Sequence, residues 1–128
     1  MADQTGHILV VDDDMMARME AAQCAKLQGH TVTMADSGTQ ALQLLRSQAF
    51  DLVLLDLMMP EVDGFEVLRQ MQADEKLREI PVLVVSGADE TESVERCMEM
   101  GATGHLAKPV DPELLATRVS AALTEKIG

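Results

Sequence analysis

A doubly wound α/β domain, with a five-stranded parallel sheet between two layers of helices, is the fold this chain predicts. Three observations carry that reading. Short, almost wholly apolar runs recur at residues 8–11, 52–55 and 81–85, and uniform apolarity over so few residues marks strands buried on both faces. The stretches between them space their apolar residues three and four apart, as helices packed by one face do. Strand and helix patterns alternate five times, the signature of parallel strands joined by crossover helices.

The first strand, residues 8–11, runs into Asp12-Asp13-Asp14. Met16, Met19, Cys24 and Leu27 then recur at helical spacing and predict the inward face of a first helix, which Gly29 ends. Thr31-Val-Thr-Met-Ala35 alternates polar with apolar, so the second strand should lie half exposed at an edge. Asp36 or Ser37 is placed to cap a second helix, whose inner stripe reads Ala41, Leu44, Leu45 and Gln48. The third strand, residues 52–56, ends in the carboxylate of Asp56, and Pro60 stops it from continuing. Asp63-Gly64 turns the chain into a third helix carrying Val67, Leu68 and Met71.

The fourth strand ends at Ser86-Gly87, and the acids between Asp89 and Glu92 suit the positive end of a fourth helix. The inner face of that helix reads Val94, Cys97, Met98 and Gly101. A short fifth strand fits His105-Leu106-Ala107, ahead of Lys108-Pro109. Asp111 caps a last helix with Pro112 at its first position and Leu115, Val119, Ala122 and Leu123 facing in. The three strongly apolar strands belong at the centre and the two weaker ones at the edges. The flavodoxin-like order 2-1-3-4-5 satisfies this.

A chain of 128 residues with 47% hydrophobic composition predicts one folded domain over residues 1–128. Ten Lys and Arg stand against 22 Asp and Glu, for a net charge of −12 and a pI of about 4.4. That field repels phosphate backbones and anionic lipid, which argues against a direct nucleic-acid or membrane role and suits a binder of cations or basic protein surfaces. No apolar run approaches the ~20 residues of a membrane span, and the first one is cut short by Asp12, so no signal peptide is expected. Cys24 and Cys97 have no partners at metal-ligand spacing and read as reduced thiols of a cytoplasmic protein.

Right-handed crossovers bring the C-terminal ends of all strands to one edge of the sheet. Polar residues occupy four of those ends: Asp12 and Asp13, Asp56, Ser86, and Lys108. Strand order reverses between strands one and three, where such sheets bind ligands, so the acidic pair should face Asp56. At ~5 Å and an effective dielectric near 20, each pair of carboxylates repels by about 3 kcal/mol. Either one acid stays protonated or a hard cation is held there, Mg²⁺ or Mn²⁺ rather than a soft metal. A cation would hold a phosphoryl group against Asp56, with Lys108 and Ser86 as further contacts, while Asp56 attacks in line to give an aspartyl phosphate. Singly, each residue has a plainer use: Asp12 to Asp14 as helix caps, Asp56 as a turn former, Ser86 as a cap, Lys108 as a solvated surface charge. Their convergence on one edge argues against accident.

Val10-Val-Asp-Asp13, Leu54-Leu-Asp-Leu-Met-Met-Pro60 with Asp63-Gly64, Ile80-Pro-Val-Leu-Val-Val-Ser86, and Gly101 through Lys108-Pro109 together resemble the receiver domains of two-component response regulators. The resemblance runs almost end to end. It implies that Asp56 takes phosphoryl from a sensor histidine kinase or phosphotransfer protein, with Asp13 and Asp56 on Mg²⁺, Asp12 reaching it largely through water, and Met58 giving its backbone carbonyl. It further implies that Ser86 is the switch hydroxyl, that Lys108 is the family's lysine, and that the Lys108–Pro109 bond is cis. The receiver would act as a switch, not as an enzyme on other substrates. Its helix 4–strand 5–helix 5 face, including Val94, Met98, His105 and Val110, would bind an effector or fused output domain, or form a phosphorylation-dependent homodimer.

This sequence departs from the family at several positions. The family's switch aromatic falls on His105, which reads either as a partly buried packing residue of an edge strand or as a switch. Met58 and Ala88 offer no polar side chain to orient a hydrolytic water, which implies a long-lived phosphoryl group. The methionines read as core filler, with Met15, Met16 and Met19 carrying a second reading as a docking surface for a kinase helix bundle. Two other functions compete: a phosphorylation-independent receiver-like module, and an aspartate-nucleophile phosphohydrolase. The latter usually presents Asp-x-Asp, which Asp56-Leu-Met58 lacks.

Overall fold

The computed structural model describes residues 6–57, 59, 62–87, 91–108 and 110–127, with side chains described as far as Thr124. The strands are β1 (His7–Val11), β2 (Thr31–Ala35), β3 (Leu52–Asp56), β4 (Val82–Ser86) and β5 (Gly104–Ala107). They alternate with α1 (Met15–Leu27), α2 (Gly38–Ser47), α3 (Gly64–Ala73), α4 (Thr91–Glu99) and α5 (Pro112–Ile127). All four pairings are parallel, in the order β2-β1-β3-β4-β5. The predicted order therefore holds, and so do the half-exposed edge strand β2 and the buried β3 and β4.

Because side chains alternate along a strand, each central strand feeds two cores. Leu9, Val11, Val53, Leu55, Val82 and Val84 join the residues of α2, α3 and α4 on one face. Ile8, Val10, Leu52, Leu54, Leu83 and Val85 meet Ala25 of α1 and Leu115, Val119, Ala122 and Leu123 of α5 on the other. Uniform apolarity was the right signal because both faces of these strands need it. Ser37 rather than Asp36 caps α2, its Oγ accepting the Gln40 N–H at 3.1 Å. Asp111 caps α5, accepting the Glu113 N–H at 2.9 Å.

Several helix faces differ from expectation. In α1 the buried residues are Ala22 and Ala25, while Met16 and Leu27 are 69% and 76% exposed. Alanine registers weakly in a pattern of large apolar residues, yet its small side chain lets a helix lie close to the sheet. Met15 and Met19 are exposed as well, so these methionines do not fill the core. Gln48 lies exposed beyond the end of α2, whose stripe is Ala41, Leu42 and Leu45. Met98 is exposed, and Cys97 alone is buried in α4. His105 is exposed too, since β5 alternates and turns Gly104 and Leu106 inward. One 3-10 turn, Leu77–Glu79, was not foreseen; it inserts Leu77 into the core ahead of β4.

Gly64 sits at a close approach. A Cβ there would lie 2.6 Å from the Asp56 carbonyl oxygen and 2.7 Å from the Leu57 Cα, so only glycine lets α3 start against the end of β3. The Gly64 N–H donates to the Leu57 carbonyl at 3.1 Å.

Candidate functional site

Four strand ends at the C-terminal edge of the sheet, those of β1, β3, β4 and β5, build the site. After β1, the Asp12 N–H donates to the Ala35 carbonyl at 3.2 Å, which keeps the chain in sheet register for one residue more. Asp14 then opens α1 as its N-cap, its Oδ2 accepting the Ala17 N–H at 3.3 Å, so one of the three consecutive acids serves the helix. At the end of β3, Asp56 is 2% exposed, and the Leu57 N–H donates to the Val85 carbonyl at 3.2 Å. Across the edge, Ser86 closes β4 and is 3% exposed; its carbonyl accepts the Lys108 N–H at 2.8 Å, tying the β5 exit loop to β4.

These ties bring the predicted residues together. Carboxylate oxygens of Asp12, Asp13 and Asp56 all lie within 4.8 Å of one another, with Asp12 and Asp56 buried and Asp13 exposed. Lys108 Nζ stands 3.3 Å from Asp56 Oδ1 and 3.5 Å from Asp12 Oδ2. Burial works against the Lys108 charge, but Asp56 and then Asp12 outweigh it and hold its pKa above the ordinary lysine value. One ammonium against three carboxylates leaves excess negative charge. The donors are all oxygen, which fits a hard divalent ion such as Mg²⁺.

His105 stays apart from this cluster, pointing outward from β5, while its backbone carbonyl accepts from Arg118 Nη1 at 3.4 Å. The expected Met58 carbonyl, the Lys108–Pro109 peptide geometry and Ala88 lie outside the described residues. One participant went unnoticed in the sequence: Arg18 Nη1 donates to the Asp12 carbonyl at 2.9 Å. Its only sequence signal is a basic residue one helical turn past the Asp14 cap. Cys24 and Cys97 are free thiols, and burial pushes Cys97 up to about 11.

The model for the response regulator receiver domain matches residues 8–120. The chain belongs to that family. This receiver is 36% identical over 107 residues to the two-component response regulator ORR5 of Oryza sativa subsp. japonica, covering 83% of this chain and 80% of that protein. It is also 37% identical over 120 residues to a cyclic di-GMP phosphodiesterase of Thermotoga maritima; there it covers 94% of this chain but 32% of the relative. Among solved structures it resembles the receiver domain of the Francisella response regulator 1452, with a TM-score of 0.86 and 28% identity over 94% of this chain and 98% of that one. A CheY-like receiver domain protein from Methanospirillum hungatei JF-1 has a TM-score of 0.87 at 26% identity, covering 94% of each chain. Among the described residues, no helix is long and apolar enough to cross a membrane.

Proposed function

We propose that this receiver is a phosphorylation-controlled switch in which Asp56 accepts a phosphoryl group from the phosphohistidine of a sensor kinase or phosphotransfer protein. An Asp56 carboxylate oxygen forms the new bond to phosphorus; the bond to the histidine nitrogen breaks, and that nitrogen keeps the electron pair. The observation that carries this reading is the Lys108 ammonium held against both Asp56 and Asp12, with Asp13 completing the acidic notch. Asp12, Asp13 and Asp56, with the Met58 carbonyl, would hold Mg²⁺. Bound there, the ion supplies the positive charge that lets a phosphoryl dianion approach buried carboxylates.

Lys108 pairs with Asp56 before the transfer and with a phosphoryl oxygen after it. Ser86, buried beside it, donates its hydroxyl to another. That pull is relayed to the face formed by α4, β5 and α5, where Val94, Met98, His105 and Val110 would meet an effector, an output domain or a second copy. His105 already points outward, which supports its membership of that face. Exposed Met15, Met16 and Met19, in the first turns of α1 after the acidic loop, would offer the kinase or phosphotransfer protein an adaptable apolar surface. The chain would catalyse only its own phosphorylation and dephosphorylation.

Incubation with Mg²⁺ and a small acyl phosphate, followed by intact-mass measurement, tests the reading. The parent should gain one phosphoryl group, and Asp56→Asn should gain none. An unmodified parent, or equal labelling of the variant, would refute it. The buried, ion-paired pocket speaks against a phosphorylation-independent module, for which Asp56→Ala would leave partner binding untouched.

A further inference from the structure

Asp12 is held at every polar atom it has. Its N–H donates to Ala35, its Oδ1 accepts the Asp14 N–H at 2.9 Å, its Oδ2 faces Lys108, and its carbonyl accepts from Arg18 Nη1 at 2.9 Å. The first three ties belong to the sheet, the loop and the ion pair. The fourth comes from a half-buried side chain on α1, six residues along the chain. The Asp12 carbonyl and the Asp13 nitrogen share one planar peptide unit. Fixing that oxygen therefore fixes the plane from which Asp13 departs. Asp13 is the exposed member of the acidic trio, and burial does nothing to hold it. A charge-assisted bond from a guanidinium is strong enough to set that plane.

We propose that Arg18 is a positioning residue: through the Asp12 carbonyl it aims the Asp13 carboxylate into the notch shared with Asp56. This rests on the reading of the notch as a divalent-cation site. Positioning and plain charge make opposite demands. If Arg18 acted only as a nearby positive charge, removing it would tighten cation binding. If it holds the Asp12–Asp13 peptide, removing it must weaken binding.

Mn²⁺ provides the probe, read by electron paramagnetic resonance and calorimetry on the parent, Arg18→Met, Arg18→Gln and Arg18→Lys. Glutamine is too short to reach the carbonyl, whereas lysine keeps both the charge and the reach. Arg18→Met and Arg18→Gln should weaken Mn²⁺ about fivefold to tenfold, and Arg18→Lys should stay within about threefold of the parent. Labelling of Asp56 by acyl phosphate should slow in the Met and Gln variants at low Mg²⁺ and recover when Mg²⁺ is raised. Unchanged or tighter Mn²⁺ binding in Arg18→Met or Arg18→Gln would overturn the proposal, whatever happens to their melting temperatures, and would leave the phosphoacceptor reading intact. A parent that fails to bind Mn²⁺ would overturn both.

Discussion

His30 shows how far one side chain's chemistry can be read from its surroundings. It is 6% exposed at the end of the sheet away from the acidic notch, and its Nδ1 accepts the Gly6 N–H at 3.1 Å. A backbone N–H can only donate, so this ring is neutral with its proton on Nε2. Burial holds its pKa below the ordinary histidine value. The unfolded chain therefore binds this proton more readily than the folded one, and stability must fall as pH drops below about 6.5, the unfolded value, toward the folded pKa. Urea titrations between pH 7.5 and 5 should show that loss in the parent, and His30→Gln should flatten the slope. An equal slope in the variant would assign the effect elsewhere. Lys108 is the opposite case: its pKa is raised by Asp56 and Asp12, so its charge persists through this whole range and adds no slope of its own.

At the scale of elements, α1 separates what periodicity can disclose from what it cannot. Strands β1, β3 and β4 were legible because burial on two faces leaves no polar position short of their ends, and Ser37 and Asp111 because caps follow from local hydrogen bonding. The buried side of α1 was not. Of the face inferred from larger side chains only Cys24 packs against the core, and α1 lies on the sheet through Ala22 and Ala25. Exposed Met16 should then tolerate Met16→Glu within about 0.5 kcal/mol. Buried Ala25→Leu should cost about 1–3 kcal/mol by overpacking against Ile8 and Val10. Chemical denaturation of the two variants measures both; a larger loss from the surface change would restore the face first inferred. Arg18 was equally hidden, because its target is a backbone carbonyl, and the sequence carries no mark of which carbonyls lack a partner.

For the whole molecule, a net charge of −12 and a cluster of three carboxylates should make the folded state respond to divalent cations, as the proposed function requires. An ion that binds only the native notch raises stability by mass action, about 2.7 kcal/mol when present at a hundred times its dissociation constant. Thermal melts with and without Mg²⁺ should show the shift in the parent, and Asp13→Asn should lose most of it while being more stable than the parent without Mg²⁺, because one repulsive charge is gone. A parent indifferent to Mg²⁺ would contradict this. The topology that gathers the acids was readable from five alternating patterns and one handedness rule. The distances among them were not, because they depend on loops whose geometry no periodicity encodes. Gly64 carries such a constraint to its mechanical end. With the start of α3 seated on the peptide of Asp56 and no room for even a methyl group, that residue has an anvil behind it. In the proposed switch, a bulky anion arriving at that carboxylate would find little room for backward recoil, and the displacement would go sideways, into the neighbouring loops.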